Sequence, residues 1–248
     1  MSGYGIFAQA YDGLTDDVQY ARMAEYIAKR ACREGLAQDV ITVDLGCGTG
    51  SLSLLLCDKG YDVIAVDASP LMLNILRDKA AGRQGLLLLC QDLTQLDLYG
   101  TARLFVCTLD TVNHLPDEAS VRAFFQRVGL FCESGGLFIF DVNTAYKHRQ
   151  VLGDNPFVYE TEDVLCLWRN ALDEDTGRVD ISLDLFRPVQ DGLYARDTEE
   201  FSEYCYSDAL IRQTLSEAGF TVLETTDDYT DAPCGERTQR CCYVARKL

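Results

Sequence analysis

Three glycines alternate at Gly46, Gly48 and Gly50, just after an aspartate that ends a short β-branched run: V-I-T-V-D-L-G-C-G-T-G-S, Val40 to Ser51. Glycine is needed where the chain takes a positive φ or where backbone must come close to a ligand. A strand that runs through such a loop into a helix puts the loop at the carboxyl edge of an α/β sheet, where ligands bind. A dinucleotide fingerprint requires its third glycine where this chain has Ser51, so that pattern is not met. Apolar runs end in aspartate four more times, at Asp67, Asp92, Asp110 and Asp141. If each run is a parallel strand, five carboxylates including Asp44 line one edge. That edge attracts a cation and repels a diphosphate. Any one of these aspartates alone reads better as a helix cap; all five in phase favour a ligand site. S-adenosylmethionine has the matching chemistry: a sulfonium, an ammonium and two ribose hydroxyls.

The stretch V-D-L-G-C-G-T-G, Val43 to Gly50, resembles the first motif of class I S-adenosylmethionine-dependent methyltransferases. Asp67, in V-I-A-V-D-A-S, falls where that family has its ribose-binding acid, and Gln91 and Asp92, in C-Q-D-L, where it contacts the adenine. The opening F-A-Q-A-Y-D-G-L-T-D-D-V-Q-Y, Phe7 to Tyr20, is similar to a bacterial subgroup of small methyltransferases. The resemblance implies methyl transfer from S-adenosyl-L-methionine. It implies that the glycines admit the methionine end, Asp67 binds the ribose, Asp92 meets the adenine amino group and Tyr11 closes over the cofactor. Asp44, Cys47, Ala68, Met72, Leu93 and Asp110 complete the cofactor-binding set it implies. It covers most of the chain except about 144–206.

A net charge of −17 weighs against nucleic acid, which needs a basic footprint, and against an anionic membrane surface. The basic trio Lys147, His148 and Arg149 reads as a solvated face. The 11 cysteines are odd in number and scattered through apolar runs, which suits reduced core thiols better than disulfides. Cys241 and Cys242 point to opposite faces of a strand, and no C-x-x-C occurs, so no metal site is expected. Reduced thiols imply a cytoplasmic protein. The first residues lack a basic n-region and a long apolar run, and no stretch approaches a transmembrane span. The reading is of a small-molecule acceptor, no nucleic acid, no membrane, and a homodimer as an option.

The elements that must hold these residues follow from periodicity. Residues 1–14 read as irregular, broken by Gly3, Gly5 and Gly13, with Tyr4, Phe7 and Tyr11 as packing side chains. A helix capped by Thr15 or Asp16 runs to about Cys32. Strands are expected at 40–44, 61–67, 86–90, 102–109 and 137–142, and helices at 49–59, 70–81 and 117–132, the last ended by Gly135-Gly136. Leu86–Cys90, apolar on both faces, reads as an interior parallel strand. After the fourth strand comes D-T-V-N-H-L-P, residues 110–116. There Asn113 and His114 are the candidates to orient a nucleophile or take its proton, although a lone His is more often structural.

From Tyr159 to Arg187 the period becomes two. Val164, Cys166 and Trp168 alternate, D-E-D-T-G turns, and Val179, Ile181, Leu183 and Leu185 alternate again; a further strand falls near 194–206. Trp168, Tyr194, Tyr204 and Tyr206 are candidates to line an acceptor pocket. A helix capped by Ser207 and a closing hairpin at 220–225 and 241–246 complete the chain. The loop with Asp227, Asp228 and Asp231 reads as plain surface. The fold class is α/β: a Rossmann-like seven-stranded sheet, mostly parallel with an antiparallel last hairpin. Residues 1–143 and 207–248 form the methyltransferase domain and 144–206 an inserted antiparallel β cap. The competing readings are an NAD-type oxidoreductase, which Ser51 and the acidic edge oppose, a non-catalytic cofactor-binding protein, and a modifier of ribosome, tRNA or protein.

Overall fold

Residues 4–36, 38–190 and 192–248 are described by the computed structural model. Gly3 lies outside them. The elements run α1 (Tyr4–Leu14), α2 (Tyr20–Arg33), β1 (Ile41–Leu45), α3 (Ser51–Asp58), β2 (Asp62–Asp67), α4 (Pro70–Lys79), β3 (Leu86–Cys90), β4 (Ala102–Cys107), α5 (Glu118–Phe131) and β5 (Cys132–Asn143). Then come β6 (Pro156–Glu160), β7 (Leu165–Leu172), β8 (Val179–Gln190), β9 (Leu193–Glu203), α6 (Asp208–Glu217), β10 (Phe220–Asp227) and β11 (Arg240–Lys247). One sheet has the order β10-β11-β5-β4-β1-β2-β3 and the other β6-β7-β8-β9. In the first, β3, β2, β1, β4 and β5 are parallel, and β11 runs antiparallel to both β5 and β10. The second is antiparallel throughout.

Each face of the larger sheet buries one helix layer. Phe105, Phe138, Phe140 and Tyr243 meet Phe124, Phe125 and Val128 of α5 and Ile211 and Leu215 of α6. On the opposite face Leu104, Val106, Ile139 and Val244 meet Ile27 of α2, Leu52 and Leu56 of α3 and Leu73 and Leu76 of α4. The alternation of inward residues along each strand produces both layers. Asp117, Ser69 and Ser207 cap α5, α4 and α6 through their side chains, as expected of such residues before a helix.

Five expectations about the elements need correction. Residues 4–14 are helical, because Phe7, Ala10 and Leu14 find an apolar surface on the smaller sheet that outweighs the glycines. Thr15 donates its hydroxyl back to the Tyr11 carbonyl, so it closes α1 rather than opening α2, whose first residue is Tyr20. β3 is an edge strand with Leu87 half exposed, not an interior one. β4 ends at Cys107, before the turn that follows. β5 begins at Cys132 with Gly135-Gly136 inside it: a Cβ on Gly136 would lie 2.9 Å from the Arg103 carbonyl, at a register shift against β4. The acidic loop is also more than surface. Asp228 pairs with Arg22, and Asp231 with Lys29 and Arg30 of α2.

One carboxylate ties the carboxyl edge together. Asp141, fully buried in β5, accepts the backbone N–H groups of Leu109 (2.8 Å) and Asp110 (2.7 Å), the Tyr229 hydroxyl, and Arg240 at 3.4 Å. Leu109 and Asp110 sit at φ +56° and +55°, and Asp228 and Tyr229 at +41° and +55°. Non-glycine residues in that region persist only where surroundings over-determine them. Asp141→Ala is expected to lower stability by about 3 kcal/mol, read as a fall in the urea midpoint with unchanged slope.

Candidate active site

The glycine loop takes positive φ at all three glycines. At Gly50 a Cβ would lie 2.1 Å from Leu76, so glycine is forced by packing. At Gly48 the same Cβ would meet only Tyr11, 3.9 Å away, and the space is left open for a ligand. The Gly48 N–H donates to Asp67 Oδ2 (2.8 Å) and the Ser69 N–H to Oδ1 (2.8 Å). Burial pushes the Asp67 carboxyl up, against the pull of these two donors. Asp67, half-buried at the end of β2, with Ala68 exposed beside it and Met72 buried behind, therefore frames the loop.

The five aspartates do end neighbouring strands, but they do not form one rim. Asp44 is buried beneath the loop and accepts from Ser53 at 2.5 Å; burial pushes its carboxyl up to about 6. Asp141 is buried in the structural role above. Asp92 caps the short turn Leu93–Gln95 through Oδ1, leaving Oδ2 without a protein partner among the described residues. Gln91 is spent locally: its amide donates to the Asp97 carbonyl and accepts from the Asp97 N–H. Asp110 reaches a cavity and pairs with Arg240 at 2.9 Å. Although burial acts to raise it, Arg240, Lys147 and His114 hold its carboxyl below the ordinary range. Cys47 lies in the loop between the glycines, and burial holds its thiol well above the usual range.

Two cavities lie at this edge of the sheet. A small niche of about 40 Å³ lies beneath it, between Asp44, Cys47, Thr108 and Tyr11. The larger, about 610 Å³, opens between the carboxyl edge and the smaller sheet. Tyr11 and Leu109 border both. The larger cavity is walled by Phe7, Tyr159, Cys166, Trp168, Leu183 and Phe201. Cross-strand register places Tyr159 opposite Cys166, and Trp168 opposite Leu183, so one face of the antiparallel sheet supplies that wall. Of the aromatic candidates, Trp168 and Tyr204 line it, Tyr194 is exposed, and Tyr206 is buried elsewhere, donating to the Leu115 carbonyl.

The polar end of the cavity gathers Asp110, His114, Lys147, Glu203 and Arg240. His114 faces the space, tilted against Phe201 and 3.9 Å from Asp110; desolvation pushes its imidazole down and Asp110 pushes it back up. Asn113 does not join it. Fully buried, it accepts from the Asn143 N–H and donates to the Asn143 and Tyr204 carbonyls, stitching the turn after β4 to β5 and to the chain beyond β9. A catalytic contact is closed to that side chain. The basic trio is not a solvated face either. His148 is fully buried, Lys147 lines the cavity and donates to Asn143 Oδ1 (3.0 Å), and only Arg149 turns outward, to Glu174.

Glu203, Lys147 and Arg240 escape sequence reading. Continuing the period-two pattern of β9 would have put Phe201 and Glu203 on one face; nothing local marks Lys147 or Arg240. Glu203 is 2% exposed, and its Oε2 accepts from Asn143 Nδ2 at 2.7 Å. Burial, with the charge of Asp110, pushes its carboxyl up to about 7. Donor atoms of Asp110, His114 and Glu203 lie within 4.8 Å of one another. With Glu203 ionised, the carboxylates of Asp110, Asp141 and Glu203 against Lys147 and Arg240 leave one net negative charge, which suits a monocation better than a divalent ion.

A buried acid whose proton affinity is raised is worth most to stability below its unfolded value and loses that contribution as pH climbs to its folded value. Glu203→Gln keeps the donor from Asn143 and cannot ionise. The variant is expected to gain on the wild type between pH 5 and pH 8, by on the order of 2 kcal/mol at the upper end, checked by thermal unfolding across that range.

Comparison with known proteins bears on this geometry. The family model described as a methyltransferase domain matches residues 42–136, from β1 into β5. A provisionally named methyltransferase of Geobacillus sp. (strain WCH70) is 32% identical over 245 residues, spanning 98% of this chain and 99% of that protein. The crystal structure of an S-adenosylmethionine-dependent methyltransferase from Clostridium acetobutylicum is 32% identical with a TM-score of 0.87, covering 99% of each chain. The CcbJ methyltransferase of Streptomyces caelestis, at 19% identity, covers 100% of this chain and 98% of its own with a TM-score of 0.83, a likeness of fold.

Proposed function

The chain belongs to the S-adenosylmethionine-dependent methyltransferases, and on that premise we propose that it methylates a small or medium-sized molecule held between the seven-stranded sheet and the four-stranded one. In this reading residues 1–143 and 207–248 form the cofactor-binding domain, and 144–206 the cap over the acceptor. S-adenosylmethionine, when bound, supplies a methyl group already activated by its positive sulfur. The chain then has to align the acceptor and keep water out.

The observation that carries the reading is the shared border of the two cavities. Tyr11 and Leu109 touch both the niche beneath the glycine loop and the larger space. A methyl held at the loop would have this chamber as its neighbour across Tyr11 and Leu109. Its volume of about 610 Å³ lies within the span of small-molecule sites, roughly 300–1,000 Å³. The aromatic wall favours an acceptor with an apolar body. A net charge of −17 supports a small acceptor over a nucleic acid, and no helix among the described residues is long and apolar enough to cross a membrane.

The cofactor residues are assigned as follows. Asp67 accepts the ribose hydroxyls through oxygens now shared with Gly48 and Ser69. The open face of Gly48, with Gly46 and Cys47, receives the methionine end, and Tyr11 covers it. Asp92 turns its free Oδ2 to the adenine amino group, while Met72 and Leu93 supply apolar contact. Asp44 acts from beneath by holding α3 through Ser53. Gln91 acts only by fixing the loop to Asp97.

Asp67→Asn preserves shape but removes the charge and one acceptor. Hydrogen bonds to a charged group contribute about 1.5–3 kcal/mol, so S-adenosylhomocysteine is expected to bind the variant at least tenfold more weakly by isothermal titration calorimetry. Unchanged affinity would remove the assignment of Asp67 to the ribose.

A further inference from the structure

We infer that Glu203, backed by His148, is the base that takes a proton from the acceptor, and that the acceptor's nucleophile is an amine which enters as an ammonium. The inference rests on the reading that the acceptor occupies the cavity beneath the cap.

His148 sets the device. It is fully buried, and its Nδ1 lies 2.8 Å from the Gly177 carbonyl. A carbonyl only accepts, so Nδ1 carries the hydrogen; burial pushes the imidazole down, the ring is neutral, and Nε2 presents a bare lone pair. That Nε2 has no hydrogen-bond partner among the described residues, and it faces Glu203 Oε2 at 3.5 Å. With Glu203 ionised, a lone pair faces a carboxylate and both lose. With Glu203 protonated, the new O–H can donate to Nε2 and the orphan is satisfied. His148 therefore raises the appetite of Glu203 for a proton without touching the acceptor.

The other groups around Glu203 leave it the best-placed base. Asp110, on the turn after β4, is held low by Arg240 of β11. His114, on the same turn, is pushed down by desolvation. Lys147 faces the site from the turn before β6 and donates one N–H to Asn143 Oδ1. Asn143 steadies the carboxylate through Nδ2. Burial pushes Glu203 up to about 7, where a carboxylate can both hold and release a proton at neutral pH.

Convergence of three acceptors names the nucleophile. Asp110, His114 and Glu203 bring acceptor atoms within 4.8 Å of one another. A primary ammonium offers three N–H groups to such a set; a hydroxyl offers one. The single net negative charge of the surrounding groups balances a monocation. The positive sulfur of the donor then opposes a second positive charge beside it, which favours loss of the proton. The ammonium passes one proton to Glu203 and becomes the neutral amine, still hydrogen-bonded to the other two groups. Its lone pair forms the N–C bond as the C–S bond of the donor breaks and that pair remains on sulfur. The product is the methylated ammonium, S-adenosylhomocysteine and one proton, released from Glu203 to solvent.

The test uses the full chain loaded with S-adenosylhomocysteine and two probes matched to the aromatic wall, phenethylamine and 2-phenylethanol, in isothermal titration calorimetry. Phenethylamine is expected to bind at least tenfold more tightly than the alcohol, with a heat that varies with the ionisation heat of the buffer. Glu203→Gln should weaken the amine at least tenfold and leave the alcohol and S-adenosylhomocysteine unchanged. The infrared C=O stretch of the protonated carboxyl, absent in Glu203→Gln, should titrate near neutral pH. In His148→Asn, which keeps a donor toward Gly177 but lacks Nε2, it should titrate at least one pH unit lower. A Glu203 ionised throughout pH 5–8, an amine affinity indifferent to Glu203→Gln, or failure of both phenethylamine and cyclohexylamine to bind would each overturn the inference. Loss of S-adenosylhomocysteine binding by the wild type would strike the cofactor assignments instead.

Discussion

A single buried carboxylate holds the geometry on which every other feature of the edge depends. Asp141 sits in the middle of the sheet, where an unpaired charge is costly. It is satisfied by two backbone amides of the turn after β4, by the Tyr229 hydroxyl and by Arg240. Those bonds keep two pairs of residues in the left-handed region that none of them favours. The turn after β4 presents Asp110 and His114; the turn after β10 leads back to Arg240, which pairs with Asp110. The carboxylate buried in β5 thus also sets the position of groups facing the cavity.

The electrostatic idea with which the sequence is most easily read, a row of negative groups for a positive donor, holds only in a local form. Asp44 and Asp141 are consumed beneath the surface, and Asp92 spends one oxygen as a cap. What remains is Asp67, hydrogen-bonded at the glycine loop, and Asp110 with Glu203 at the larger cavity, offset by Arg240 and Lys147. Such a site is nearly balanced rather than strongly anionic. A balanced site can bind a cation without holding it too tightly to change protonation, which is what proton removal before methyl transfer requires.

How much of this was legible depends on how far apart in sequence the cooperating residues lie. The glycine loop, Asp67 and the strand–helix alternation are local patterns, and each was readable. So was the antiparallel sheet: the alternation of Val164, Cys166 and Trp168, and of Val179, Ile181, Leu183 and Leu185, marks its buried face. The misreadings are long-range. Whether α1 forms depends on a sheet some 150 residues away, whether β3 is interior depends on strand order, and whether His148 is solvated depends on a carbonyl at Gly177. Asn113 looked catalytic because it is polar and follows a strand; three backbone groups on two other segments claim its amide. Glu203 was invisible because its raised carboxyl comes from burial and from Asp110, which lies far away in the chain.

The same reasoning links the two halves of the site. Phe7, Ala10 and Leu14 of α1 pack on the inner face of the four-stranded sheet. Asp12, one turn along, accepts from Thr49 (2.5 Å) in the glycine loop and from Lys79 (2.8 Å) at the end of α4. Between them Tyr11 borders both cavities. One helix therefore borders both cavities and meets the glycine loop. Apolar contacts fasten it on one side and hydrogen bonds on the other. Lifting it exposes both spaces together, and seating it requires both surfaces to be in place. The larger cavity and the glycine loop are thereby joined through α1.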